Sequence, residues 1–319
     1  MGMARFSATE AATAGFGVIG RAPLAVLAWG LVILVTLVGP MVGLMWALAP
    51  QIIEMVKAMP DPASSSSGAA DSAMMARMMQ LQGSMMGVNL ISWVGGTLVK
   101  AVVAGAVFRA VLEPDQKRWA YLRLGKSELW LGLVTLVQGV LFMMAYFAVV
   151  IVGLILGLIL FLVGSAAGDA GKLVAGLLIA LVILAGIGVL IWGVLRLSMA
   201  GPMSFAEGKF LLFESWAFTR GQSGRLLGMA LLLMLILIAL ELVLYAILGV
   251  AVFGSWAGIQ AKVGALQGQP PQAWLHAFWT VAAVGTVVLS FLAAFAMALV
   301  CAPWAKAYQA LAASGAAKS

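Results

Sequence analysis

Six apolar blocks decide what this chain can fold into. They run over approximately 23–49, 87–111, 129–163, 173–196, 226–254 and 274–303. Each exceeds the roughly 20 residues that a helix needs to cross the hydrocarbon core of a bilayer. Lipid offers no partner to free backbone N–H and C=O groups, so a spanning segment must satisfy them internally. A barrel would need short strands of alternating polarity, which these blocks do not show. Charge agrees: 9% of the residues are Asp, Glu, Lys or Arg and 64% are hydrophobic, too few charges to solvate the outside of a water-soluble domain. The expected fold is an all-α integral membrane protein with six transmembrane helices.

Two blocks carry local peculiarities. Pro40 lies inside the first and should kink it. The third is long: its 35 or so positions span about 50 Å at 1.5 Å per residue. No polar turn interrupts it, so one helix that tilts or protrudes is expected. The first block is too long for a cleavable signal core, and Pro50 follows its small-residue stretch Ala47-Leu48-Ala49, which reads as an uncleaved span.

The net charge is +7, and the cations are not evenly placed. One side of the alternating loops holds thirteen: Arg5, Arg21, Arg109, Lys117, Arg118, Arg123, Lys126, Arg196, Lys209, Arg220, Arg225, Lys306 and Lys318. The other holds four, Lys57, Arg77, Lys172 and Lys262, and Lys100 falls within a span. By the positive-inside rule both termini are expected in the cytoplasm. The basic balance therefore needs no nucleic-acid partner.

A repeat is expected beneath this topology. Ser7-Ala8-Thr9-Glu10 and Ser204-Phe205-Ala206-Glu207 are capping-box sequences. Counted from each Ser, Ala8, Gly15, Phe16 and Ile19 match Phe205, Leu212, Phe213 and Trp216, positions on one face of a helix. Both segments reach a Gly beside a cation, Gly20-Arg21 and Arg220-Gly221. A shorter version starts at Pro114-Asp115, carries Trp119 and Leu122, and reaches Gly125-Lys126. Gly can close each helix, and the cation suits its carboxyl end. The chain thus reads as a single membrane domain of three units, approximately 1–112, 113–199 and 200–310, each an interfacial amphipathic helix plus two spans. Phe16, Ile19, Trp119, Phe213 and Trp216 are the expected interfacial anchors, with Trp130, Trp256 and Trp274 near other span ends. Residues 59–73, with Pro60-Asp61-Pro62 and four consecutive serines, read as a flexible outer loop.

Chemistry has few candidates. Lys100 and Glu241 each lie in the middle of a span, about 15 Å and 22 Å from the same side. An ionisable group in lipid costs a few kcal/mol or more, so the two are expected to face the interior and pair. Such a pair fixes helix register, or marks a proton or substrate pathway. Met74, Met75, Met78, Met79, Met85 and Met86 recur at near-helical spacing, but without Cys or His beside them they read as an apolar face, not a Cu(I) site. Gly153 and Gly157 form a GxxxG for close helix contact, within the chain or between copies. Gln138 and Asn89 are expected to bridge helices. The single Cys301 excludes an intramolecular disulfide, and His276 is the only histidine. All four Asp residues lie outside the apolar blocks. Gly125-Lys126-Ser127 lacks the rest of a phosphate loop. No catalytic residue, metal or cofactor is expected.

The segments Tyr121-Leu122-Arg123-Leu124-Gly125-Lys126-Ser127-Glu128-Leu129 and Ser215-Trp216-Ala217-Phe218-Thr219-Arg220-Gly221 resemble bacterial multispan proteins related to the membrane domain of glycerophosphoryl diester phosphodiesterases. In those a Ser-Trp-x-x-Thr-(basic)-Gly motif ends an amphipathic helix just before a span. The hydrolytic barrel has no counterpart here, so the resemblance implies a bacterial inner membrane and no phosphodiesterase activity. The expected function is an accessory or scaffold protein organising membrane lipids or partner proteins, with a homo-oligomer as a further arrangement. The alternative is a transporter or permease built on Lys100 and Glu241.

Overall fold

The computed structural model describes residues 7–57 and 68–313. The segment from Pro60 to Ser67 that anchors the expected outer loop lies outside the described residues, as do Arg5 and Lys318 and the side chain of Asn89. Gly68 to Ala73, also assigned to that loop, are helical.

In chain order the helices are α1 (Ala8–Ala12), α2 (Ala14–Arg21), α3 (Pro23–Ile33), α4 (Gly39–Lys57), α5 (Gly68–Leu112), α6 (Lys126–Ala166), α7 (Gly168–Leu197), α8 (Ala200–Glu207), α9 (Glu214–Phe218), α10 (Ser223–Gly254), α11 (Trp256–Leu266) and α12 (Pro271–Ala313). There is no strand among the described residues. Among the described residues six helical stretches are long and apolar enough to cross a membrane: Pro23–Leu48, Ser92–Leu112, Arg118–Ala166, Gly168–Glu207, Ser223–Gly254 and His276–Ala313.

Pro40 does not simply kink the first span. Residues Leu34–Val38 form a π-helical turn that joins α3 to α4, and the Gly39 N–H donates to the Leu34 carbonyl. Widening the helix by one residue moves a carbonyl out of the proline ring's way. Gly39 suits the turn, since a Cβ there would stand 2.7 Å from the Leu34 oxygen.

The core is small and lies at the end of the bundle where α5 and α7 finish and α6 and α10 begin, which carries most of the cations. α12 is its centre. Ala294, Ala298 and Ala302 of α12 pack with Trp29, Val103, Val107 and Tyr121, and Ala307 and Leu311 pack with Ala11, Leu195, Met199 and Leu226. Small residues allow these approaches. A Cβ on Gly15 would stand 2.6 Å from the Leu299 Cα, and one on Gly30 would enter the Phe291 ring. Beyond this basal core, α6, α7 and α10 bury very little.

The third span is one helix of 41 residues, about 60 Å long. Its length divides at Gln138, whose Nε2 donates to the Leu197 carbonyl at 3.3 Å, the interhelical bridge expected of that residue. The helix α7 therefore ends beside Gln138. The first 12 residues of α6, about 18 Å, run on past it: Leu131 packs with Phe108 and Phe205, and Val134 packs with Ala200 and Leu212. From there α6 and α7 form a hairpin whose tip closes through Gly164, Gly171 and Ala175. Gly153 and Gly157 line a groove with Ile179, Val182 and Ile183 of α7, and a Cβ on either would meet nothing within 4 Å.

The interfacial segments differ from one another. Ser7 caps α1 as expected, its Oγ accepting the Glu10 N–H at 3.3 Å. Ser204 does not cap a helix. It is buried inside α8 and accepts the Leu211 N–H at 3.0 Å. The segment from Pro114 forms no amphipathic helix; Trp119, Ala120 and Tyr121 make a left-handed turn at φ 53°, 55° and 62°. Gly221 closes a turn at φ 77°, but Gly20 sits inside α2 and Gly125 precedes α6 as its N-cap.

Candidate functional site

The structure does not bring Lys100 and Glu241 together. Lys100 is exposed on α5 and lines an open groove of about 640 Å³ between that helix and the π-helical turn with α4. Its neighbours there include Leu37, Met41, Met45, Trp93 and Thr97. Glu241 is exposed on α10, where its Oε1 accepts from Tyr245 Oη, one turn away, at 3.0 Å. No ion pair joins the two, and the helices that carry them pack on different neighbours, α5 on α6 and α12, α10 chiefly on α1 and α7. Each charge therefore stands within a span with no opposite charge beside it among the described residues.

The buried charge pair of this protein is a different one, Arg109 with Glu128. The two residues are 5% and 3% exposed, so lipid and water are both excluded. Arg109 comes from the last turn of α5 and Glu128 from the first turn of α6. One guanidinium nitrogen donates to Glu128 Oε1 and another to the Tyr121 carbonyl. The Phe205 ring lies 5.3 Å from the guanidinium carbon. Glu128 Oε2 accepts the Gly125 N–H at 2.9 Å, one half of a capping box. Both charges are thus paired and hydrogen-bonded, the condition under which burial is tolerated.

This pair anchors the left-handed turn. Such a conformation costs an L-residue roughly 1–2 kcal/mol, and three successive residues adopt it. Two of their carbonyls find strong donors: Arg109 holds that of Tyr121, and Trp29 Nε1, wholly buried in α3, holds that of Ala120 at 2.8 Å. Tyr121 Oη donates to the Pro114 carbonyl at 3.0 Å. The outcome is to throw Trp119 outward, 83% exposed. Beside the turn a cavity of about 230 Å³ is lined by Arg21, Lys117, Asp115 and Tyr121.

The Ser-Trp-x-x-Thr segment is a clasp. Ser215 Oγ donates to the Arg196 carbonyl at 2.8 Å and accepts the Met199 N–H at 3.2 Å, while Thr219 Oγ1 lies 3.3 Å from the same carbonyl. Ser215 and Thr219 are wholly buried. They satisfy backbone groups left open where α7 gives way to α8. The Arg196 guanidinium lies 5.6 Å from the rings of both Trp192 and Trp216.

Of the expected anchors, Phe16, Trp119, Phe213 and Trp216 are exposed, although Trp216 is also held by Trp192 at 4.8 Å. Ile19 is half-buried and packs on the core. Met75, Met78, Met79 and Met86 are exposed along the outer part of α5. No group of three or more His, Cys, Asp or Glu stands close enough to hold a metal among the described residues. His276 meets the Trp46 ring at 6.4 Å.

Comparison with protein-family models, with curated proteins and with solved structures finds no match. The functional reading therefore rests on the residues themselves.

Proposed function

We propose that this is a non-catalytic protein of the bacterial inner membrane, with both termini in the cytoplasm, that acts as an accessory or scaffold organising lipids or partner proteins. The observation that carries the reading is the make-up of the basic face. Exposed Phe16, Trp119, Leu124 and Phe213 stand beside exposed Arg21, Lys117, Arg123, Lys209 and Arg220. Apolar side chains enter the boundary between headgroups and acyl chains, and cations attract anionic lipid at about 1 kcal/mol each. The Arg109–Glu128 pair fastens the left-handed turn that presents Trp119 on this surface. The thirteen-to-four charge bias and the resemblance of residues 121–129 and 215–221 to bacterial multispan proteins support the orientation and the compartment. A relation between the first and third units, 1–112 and 200–310, remains part of the proposal, the middle one having a left-handed turn where its amphipathic helix was expected. Its support is that Gly15 and Leu212 are both buried while Phe16 and Phe213 are both exposed.

The test is lipid retention. Protein released from nanodiscs of mixed phosphatidylglycerol and phosphatidylcholine is weighed by native mass spectrometry. The wild type should keep phosphatidylglycerol selectively, and R21Q/K117Q/R123Q should lose at least tenfold of that selectivity, the scale set by about 1 kcal/mol per cation. Equal retention by both proteins would refute the lipid reading. A transport reading draws on the Lys100 groove beside the π-helical turn, a feature that recurs at functional sites.

A further inference from the structure

Two opposite charges stand inside the spans, on outward faces of different helices, with no counter-charge beside them among the described residues. A charge so placed costs a few kcal/mol, and each is the missing partner of the other. We propose that this chain self-associates in the membrane, the α10 face of one copy entering the α4–α5 groove of another so that Glu241 of the first meets Lys100 of the second.

The depths agree. Lys100 lies 12 residues before the end of α5 and Glu241 lies 18 residues after the start of α10, or about 18 Å and 27 Å from the basic end along their axes. Side chains lean toward the amino end of their own helix. The two helices run in opposite senses, so Lys100 leans away from the basic end and Glu241 leans toward it. The remaining step of about 9 Å is shared by two long side chains reaching toward a common level.

The surfaces agree as well. Met234, Ile238, Glu241, Tyr245 and Leu248 repeat at spacings of four and three, the seam of a left-handed helix pair. All five are exposed. The groove that faces such a seam is open and apolar apart from Lys100 and two hydroxyl residues, and Gly96 lies at its floor with Leu37 3.3 Å from the place of a Cβ. Tyr245 already holds Glu241 in position, leaving its second carboxylate oxygen for the ammonium group. Each copy offers one groove and one seam, so the contact is head-to-tail and leaves a groove and a seam for further copies unless the rotation closes a ring.

Co-purification of two differently tagged full-length copies from mild detergent and from nanodiscs tests this. Wild-type copies should co-purify. K100E alone and E241K alone should each lower co-purification at least tenfold, since each sets like charges face to face. Co-expressed, K100E with E241K should recover to within about threefold of wild type, because every contact between unlike copies is again Lys with Glu. Pairing within one chain can never be rescued by mixing two singly reversed copies. If the reversed proteins do not accumulate, K100M and E241Q replace them: each should weaken association, and the double variant should add little, as expected for one shared contact. Wild-type copies that fail to co-purify in both media, indifference to the reversals, or no recovery on mixing would each overturn the proposal.

Discussion

Glu128→Gln isolates the electrostatic role of the buried pair. The substitution keeps the size of the side chain, so little cavity forms, but it leaves the Arg109 guanidinium buried without a counter-charge. Breaking such a pair costs about 3–5 kcal/mol. The amide also cannot serve both the guanidinium and the Gly125 N–H with oxygen, and one orphaned donor adds roughly 1 kcal/mol. At roughly 2–4 °C per kcal/mol for a chain of this order of size, the apparent melting temperature should fall by about 10 °C. Cys301 provides the assay. It is the only cysteine and sits half-buried in α12, so a thiol-reactive dye labels it as the fold opens. The control is R109M/E128L, which removes both charges while keeping most of the volume. It should lie within about 2 kcal/mol of wild type, because well-packed apolar replacements of buried pairs are often neutral. An E128Q melting point within about 2 °C of wild type, or a double variant worse than either single, would refute this account.

Trp29→Phe removes the donor to the Ala120 carbonyl and should cost about 1–2 kcal/mol, with faster proteolysis between residues 114 and 124 as the readout. Ser215→Ala and Thr219→Ala should each lower stability by about 1–2 kcal/mol, and together by less than the sum, since both serve the Arg196 carbonyl; paired melting curves decide. Gly30→Ala should fail to fold, and Phe291→Ala in the same chain should restore monodisperse protein by making room. In a chain with Cys301 replaced, Lys117→Cys and Arg220→Cys should react with an impermeant maleimide only in opened cells, and labelling in intact cells would reverse the proposed orientation.

The spans were legible because hydropathy acts block by block and needs no knowledge of neighbours. The expected block at 226–254 and the helix Ser223–Gly254 differ by three residues at one end. Which way a residue faces was not legible. Spans such as α10 are apolar all round, so no stripe marks an inner side, and Lys100 and Glu241 were assigned inward on cost alone. The cost stands, but it does not require the partner to come from the same chain. In the sequence Arg109 is one more cation of the basic loops, and Glu128, an acid three residues after Gly125, signals no more than a helix cap. Their pairing belongs to tertiary structure. The Ser204 box failed for a related reason: a serine and a glutamate at the right spacing also occur within a helix, and burial of Ser204 against the 208–211 turn decided its use. The third interfacial segment was missed because nothing in Arg118–Tyr121 announces a left-handed turn; its donors, Trp29 and Arg109, come from elsewhere in the chain.

Beyond Gln138 the α6–α7 hairpin runs on for 28 residues of α6, about 42 Å, with no Asp, Glu, Lys, Arg or His among them. A hydrocarbon layer of about 30 Å accommodates that only at a lean of about 45°, past the range that spanning helices adopt, or by swelling locally. The hairpin's outer flank is largely exposed among the described residues. The surrounding acyl chains must stretch to meet it, so this protein would gather a collar of thick membrane around itself and favour bilayers that already match its height.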